Sequence, residues 1–284
     1  MSDAPVLFPM PRVVNPAAGR FAVRPTMRLD FTFDESPLLR HAAADLNQRL
    51  QELGGFRLAP LYGVLQPGSI CFERRDGLGE EGYSLHISAD GIRAAAETPA
   101  GAFYAAQTLR QCLTAADGQV FVPALHIADS PDFAHRGVFV ENKWGMDRMT
   151  LDDWRACIDE LSRLKLNLLG VGAYGCWCIQ YEGQVTEFLT LPVPEYPLLR
   201  TEKTVRYYSP REGWRHLTYL PRLFEEDFFG QVVAYGRERN VVVRPHFNSL
   251  GHNTLIPRLY PEVSALDAHG EPTGYGYCLT NPAT

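Results

Sequence analysis

Apolar positions along this chain change their rhythm once, and the change divides it. Before residue 129, short alternating runs are interleaved with two helical stretches. Residues 27–33 (MRLDFTF) alternate as a half-buried strand should, and residues 69–72 and 83–87 do the same. Residues 38–53 carry apolar groups at helical spacing and stop at Gly54-Gly55, a natural helix end. Asp90-Gly91 stands between residues 83–87 and 92–96 and predicts a hairpin. Residues 101–113 read as a second helix, with Phe103, Ala106, Gln107 and Arg110 marking its turns, and residues 120–127 as a closing strand. The pattern predicts an α+β layer over residues 1–129, with no catalytic grouping of its own.

Asp129-Ser130-Pro131 is turn-forming, and beyond it strands and helices alternate singly. Residues 137–140 form the first strand. Thr150, with Asp153 at the third helical position, caps the next helix, and Trp154, Cys157, Ile158, Leu161 and Leu164 share one face of it. Residues 166–171 form the second strand. A Pro- and Tyr-rich stretch then runs to Pro221 and reads as one long loop, long enough to suspect function. Residues 224–239 supply a helix and residues 241–247 (VVVRPHF) a third strand, with no further strand expected after it. Repeated βα units imply parallel strands with right-handed crossovers. A complete eight-fold barrel takes roughly 250 residues, so residues 130–284 are expected to hold only its first part, about three strands.

Composition narrows the function classes. Apolar content of 45% and charged content of 21% are ordinary for a globular chain. A net charge of −6, without a Lys/Arg run, argues against nucleic acid. No apolar run approaches the roughly 18–20 residues that span a bilayer, and the N-terminus lacks a signal-peptide pattern. The six cysteines (Cys71, Cys112, Cys157, Cys176, Cys178, Cys278) are scattered and expected to be reduced, so a cytoplasmic location is expected.

The candidate chemistry sits where parallel strands end, because loops at that end carry function in such folds. The third strand finishes in His246, Asn248, Gly251 and His252. His246 and Asn248 lie two apart on a strand, so their side chains share a face. Glu141 ends the first strand and suits accepting hydroxyl protons or pairing with Arg136. Trp144, Tyr174 and Trp177 stand in loops after the first two strands. Cys176 and Cys178 with His246 and His252 do not make a zinc pattern, and neither a metal nor a cofactor is expected.

These segments together resemble the family-20 glycoside hydrolases, the β-N-acetylhexosaminidase group, over essentially the whole chain. Residues 81–113 (EGYSLHISADGIRAAAETPAGAFYAAQTLRQCL) are similar to that family's accessory α+β domain. Residues 130–141 (SPDFAHRGVFVE) resemble the run into its first barrel strand, residues 161–171 (LSRLKLNLLGV) the first helix passing into the second strand, and residues 244–252 (RPHFNSLGH) with 260–264 (YPEVS) the third strand and its loop.

The resemblance implies an α+β accessory domain (1–129) followed by the first part of a (β/α)8 TIM barrel (130–284). It implies removal of terminal β-linked N-acetylhexosamine, or a related sugar, from a glycan or amino-sugar oligosaccharide. The expected route is substrate-assisted, the sugar's own acetamido group attacking the anomeric carbon. Arg136 matches an arginine that grips sugar hydroxyls, and His252 a histidine that supports the acid. The family's Asp-Glu catalytic pair follows the fourth strand and is expected beyond Thr284. The chain departs from the pattern at Glu141, in residues 172–178 (GAYGCWC), and at His246 and Asn248, where the family shows other acidic residues. The expected subsite is therefore Arg136, Glu141, His246, Asn248 and Trp177, with His252 supporting. The alternative is a carbohydrate-binding or degenerate hydrolase-like protein without catalysis.

Overall fold

The computed structural model of the chain describes residues 5–66, 68–141, 146–176, 187–248 and 254–282. Its contacts separate two compact units. The first consists of Met1–Arg136 with Asp159–Asn167 and Arg237–Val241, the second of Gly137–Ile158, Leu168–Gly236 and Val242–Thr284. The turn at residues 129–131 thus lies inside the first unit, which also takes in two short later segments.

In the first unit, strands β1 (Val13–Val23), β2 (Arg28–Phe31), β3 (Ala59–Tyr62), β4 (Ile70–Arg74), β5 (Tyr83–Ser88), β6 (Gly91–Ala96), β7 (Thr114–Ala116) and β8 (Gln119–Asp129) form one mixed sheet. Its order is β1-β8-β5-β6-β4-β2-β3, with β7 on β8. The predicted hairpin is β5–β6, with Ser88 opposite Gly91. Helix α1 (Pro37–Gly54) starts where the Ser36 hydroxyl accepts the Leu39 N–H at 3.3 Å, and it ends with Gly55 at φ 72°. Helix α2 (Pro99–Cys112) is capped by Thr98, whose hydroxyl accepts from Ala100 and Gly101. Leu39, Leu46 and Leu50 of α1 and Phe103 and Leu109 of α2 join Phe31, Phe72, Leu85, Ile92 and Ile127 of the sheet in one buried core.

Two strands of this sheet escape the periodicity argument for a physical reason. β1 carries Pro16 and Gly19, and its pairing with β8 shifts register between Pro16 and Arg20. β3 carries Pro60 and ends the sheet, where a missing N–H costs no ladder bond.

The second unit contains β9 (Gly137–Val140), helix α3 (Leu151–Arg163), whose last turn belongs to the first unit, and β10 (Leu168–Gly172). The stretch after β10 is not one loop. It contains the antiparallel pair β11 (Tyr174–Cys176) and β12 (Glu187–Leu189), then the hairpin β13 (Lys203–Ser209) and β14 (Gly213–Tyr219). The expected single helix over residues 224–239 is two: α4 (Arg222–Glu225) and α5 (Phe229–Arg237). Glu226 turns extended, and the Asp227 carboxylate accepts the Phe229 N–H at 3.2 Å, opening a new helix. Strand β15 (Val242–His246) follows, then α6 (Leu255–Leu259) and an antiparallel pair, β16 (Ser264–Leu266) and β17 (Pro272–Tyr277), where no further strand was expected.

β9, β10 and β15 pair in parallel in the order β15-β10-β9, as the βα rhythm predicts. Leu169, Val171 and Val243 are buried on one face of this sheet. The other face carries Phe139, Val242, Arg244 and His246, all exposed. Among the described residues, no helix is long and apolar enough to cross a membrane.

Candidate functional site

The three parallel strands of the second unit bring the strand-end residues to one level. Gly172 of β10 pairs with His246 of β15, and Val171 pairs with Val140, the residue before Glu141. Glu141 and His246 therefore flank the end of the middle strand, and both are exposed. Two glycines permit this arrangement. A Cβ on Gly137 would lie 2.0 Å from the Leu168 carbonyl oxygen, so β9 reaches β10 only without a side chain there. A Cβ on Gly170 would lie 2.9 Å from both His246 Nε2 and Phe139 Cδ2. The His246 ring thus lies over the bare middle strand, edge-on to Phe139 with centroids 5.0 Å apart. An imidazole so held has a fixed direction and both nitrogens for hydrogen bonding. Asn248, two residues on, is half-buried.

Tyr174, a candidate ring for sugar stacking, is buried, with only 3% of its surface exposed. Its hydroxyl donates to Glu187 Oε2 at 2.6 Å and accepts the Leu255 N–H at 3.1 Å. The same carboxylate oxygen accepts the N–H groups of Thr254 and Leu255. Burial, and then the bond to Glu187, raises the Tyr174 phenol well above its ordinary value. This assigns Tyr174 to fastening β11 and β12 to the start of α6, and its ring meets Phe247 at 5.0 Å. Trp144, Trp177, Cys178 and His252 lie outside the described residues.

Arg136 falls in the first unit, and its guanidinium is engaged there. Nη1 pairs with Glu81 at 2.8 Å and donates to the Phe133 carbonyl at 2.7 Å; Nε donates to the Lys165 carbonyl at 3.0 Å; Nη2 donates to the Tyr104 hydroxyl at 3.2 Å. The Glu81 carboxylate also accepts from the amides of Asn167 and Asn240 at 3.1 and 3.2 Å. Beside this brace, Lys165 Nζ reaches Asp129 at 3.0 Å and the Tyr83 hydroxyl at 2.8 Å. Burial costs the Lys165 ammonium more than Asp129 returns, so it titrates below its ordinary value. Burial opposes ionisation of Asp129 as well, but the ammonium and its hydrogen bonds hold that carboxyl below the usual range. Lys165 and Asn240 both adopt the left-handed backbone, at φ 57° and 56°. Both stand just after a helix, and the polar side chain of each is spent inside this network.

Sequence reading passed over one buried cluster in the second unit. Lys203 Nζ pairs with Asp147 Oδ2 at 3.0 Å, with the two side chains 2% and 0% exposed. The Tyr219 hydroxyl donates to the same oxygen at 2.8 Å, and the ammonium stands 4.0 Å over the Phe188 ring. Burial lowers the Lys203 ammonium against the pull of Asp147. The cross-strand pair Lys203–Tyr219 is visible as the first rung of a hairpin only once the 203–219 stretch is read as strand.

Residues 4–130 match the family described as glycosyl hydrolase family 20, domain 2. A beta-hexosaminidase of Vibrio furnissii is 24% identical over 272 residues, spanning 90% of this chain and 39% of its own length. A beta-N-acetylhexosaminidase of Cellulomonas fimi is 37% identical over 92 residues, covering 32% of this chain and 18% of that protein. Among solved structures, the GH20 exo beta-N-acetylglucosaminidase from Vibrio harveyi in complex with N-acetylglucosamine overlays with a TM-score of 0.71 at 18% identity. That overlay covers 97% of this chain and 42% of the other. The GH20 beta-N-acetylhexosaminidase of Streptomyces coelicolor A3(2) gives 0.69 at 22% identity, covering 98% and 54%. The chain thus spans 39% of the Vibrio furnissii protein and 42% and 54% of the two solved chains.

Proposed function

Because this chain is a family-20 glycoside hydrolase-like protein, we propose that it is the front portion of an exo-acting glycosidase that removes terminal β-linked N-acetylhexosamine or a related sugar. The observation that carries the reading is the parallel β9-β10-β15 sheet with Glu141 and His246 at the ends of its outer strands. In this reading the sheet is the beginning of a (β/α)8 barrel, and its strand ends form part of the terminal sugar's subsite. The Glu141 carboxylate accepts protons from sugar hydroxyls. The His246 imidazole, held against Phe139, donates to or accepts from a hydroxyl, and Asn248 offers an amide that does both. Bond cleavage follows the route in which the substrate's acetamido group attacks the anomeric carbon. The acid and its carboxylate partner are assigned to no residue of this chain.

Arg136 serves in this reading as a brace, because its donors are already engaged by Glu81, Tyr104 and two carbonyls.

The test is an aryl N-acetyl-β-glucosaminide assay on the full-length protein of which this chain is proposed to be the front portion, run beside calorimetric binding of N-acetylglucosamine. Turnover is expected, with His246→Ala lowering kcat/KM about tenfold, the effect of losing roughly 1.4 kcal/mol of hydrogen bonding. Binding without turnover favours a non-catalytic carbohydrate-binding protein. Neither turnover nor binding overturns both readings.

A further inference from the structure

We propose that His86 and His126, on the open face of the first unit's sheet, form a chelating site for a divalent transition-metal ion of the imidazole-seeking class, such as Cu²⁺ or Zn²⁺. The two residues are far apart in the chain, and only strand register joins them. β5 and β8 pair antiparallel with His86 directly opposite His126. Opposed residues in such a pair project from one side of the sheet, with Cβ atoms about 4.5–5.5 Å apart. The imidazole centroids lie 6.3 Å apart, with the ring planes inclined at 54°. Both residues are exposed. Their strand neighbours Leu85, Ile87, Leu125 and Ile127 are buried in the core with α1 and α2, so the histidines point away from the helices.

Packing does not account for the pair. Among the described residues, neither imidazole has a hydrogen-bond partner. The same rung continues to Asn15 of β1, opposite His126, and to Arg93 of β6, opposite His86. Arg93 pairs with Glu73 at 2.7 Å, so the charge nearest His86 is matched, and Asn15 adds a neutral amide. An incoming cation therefore meets two imidazoles with no competing partner.

Each ring offers a nitrogen lone pair to a metal, and the paired strands fix the spacing of the two. A zinc–imidazole bond is about 2.0–2.1 Å long, so an ion held by both nitrogens needs the centroids roughly 1 Å closer than they stand. Exposed side chains make that closure by rotation between staggered positions, without moving the sheet. Water fills the remaining coordination positions. Imidazole suits Cu²⁺, Ni²⁺ and Zn²⁺, whereas Ca²⁺ and Mg²⁺ take oxygen ligands, which this pair lacks.

The chain is titrated with CuCl₂ and with ZnCl₂ by calorimetry, and the copper complex is read by pulsed electron paramagnetic resonance, which counts coordinated imidazoles. A saturable site with two imidazoles is expected, binding Cu²⁺ more tightly than Zn²⁺. His86→Ala and His126→Ala should each weaken it at least about tenfold and reduce the count to one, because each removes the ligand already tethered beside the other. His216→Ala should leave affinity and count unchanged. Saturating Zn²⁺ should raise the melting point of the parent chain and not that of the double variant. His86→Asn and His126→Asn, which keep a polar side chain, repeat the titrations so that a loss of folding is not taken for the loss of a ligand. Parent-like affinity in either single variant overturns the assignment, as does a single imidazole in the parent complex or the absence of saturable binding.

Discussion

His246 shows how a residue acquires a role from its neighbours' size. The ring rests over Gly170 and against Phe139, so its direction is set by a missing side chain on the middle strand. Gly137 looks equivalent in the sequence, but its neighbour is a backbone carbonyl and not the end of a side chain. Side-chain ends move at little cost; a paired strand does not. Gly170→Ala should therefore melt within about 1 kcal/mol of the parent while displacing the His246 ring, whereas Gly137→Ala should cost about 3 kcal/mol. Chemical denaturation measures both, and equal losses at the two positions would refute the distinction. Strand alternation put Asn248 on the face of His246, whereas β15 ends at His246 and Asn248 lies beyond the strand. It did not reveal that Tyr174 turns inward to Glu187, because that depends on a carboxylate arriving from β12.

At the scale of elements, the strongest periodicities came through and the irregular stretch did not. Residues 38–53 and 101–113 match α1 and α2, and the 83–96 hairpin is β5–β6. The 203–219 hairpin was hidden because its outer residues (RYYSPREGWRH) mix charge and aromatics on both faces, with no apolar side to mark a strand. Its root is instead a buried ion pair. Removing one partner of such a pair leaves the other charge desolvated, at a cost of about 3–5 kcal/mol. Asp147→Asn deprives the Lys203 ammonium of that carboxylate, so the hairpin should open to protease at residues 209–213 and the melting point should fall. Cleavage no faster than in the parent would show that the hairpin is held by other contacts.

At the scale of the molecule, the compact units do not follow the linear division. The first unit needs Arg136, Lys165, Asn167 and Asn240, all later than the turn at residues 129–131. Those residues partner Glu81 and Asp129, carboxylates with side chains only 13% and 16% exposed. A fragment of residues 1–130, which contains the matched span 4–130, loses all of them. It should melt about 10 °C or more below the first transition of the whole chain. Coincident transitions would show that the brace adds nothing to the unit's stability.

The linear pattern by itself determined what local physics can carry. The two helices and the hairpin of the first unit, the three βα strands, and the strand-end positions of Glu141 and His246 follow from periodicity and turn chemistry, which act over a few residues. The resemblance carried by short ordered segments pointed to the family whose domain 2 matches residues 4–130. Only tertiary structure decided that Arg136 is engaged by Glu81 and Tyr104, that Tyr174 faces inward, and that the stretch before Pro221 folds into paired strands. Each of these depends on groups brought together from positions far apart in the chain, and buried charges and hydroxyls take the partners that the fold brings to them.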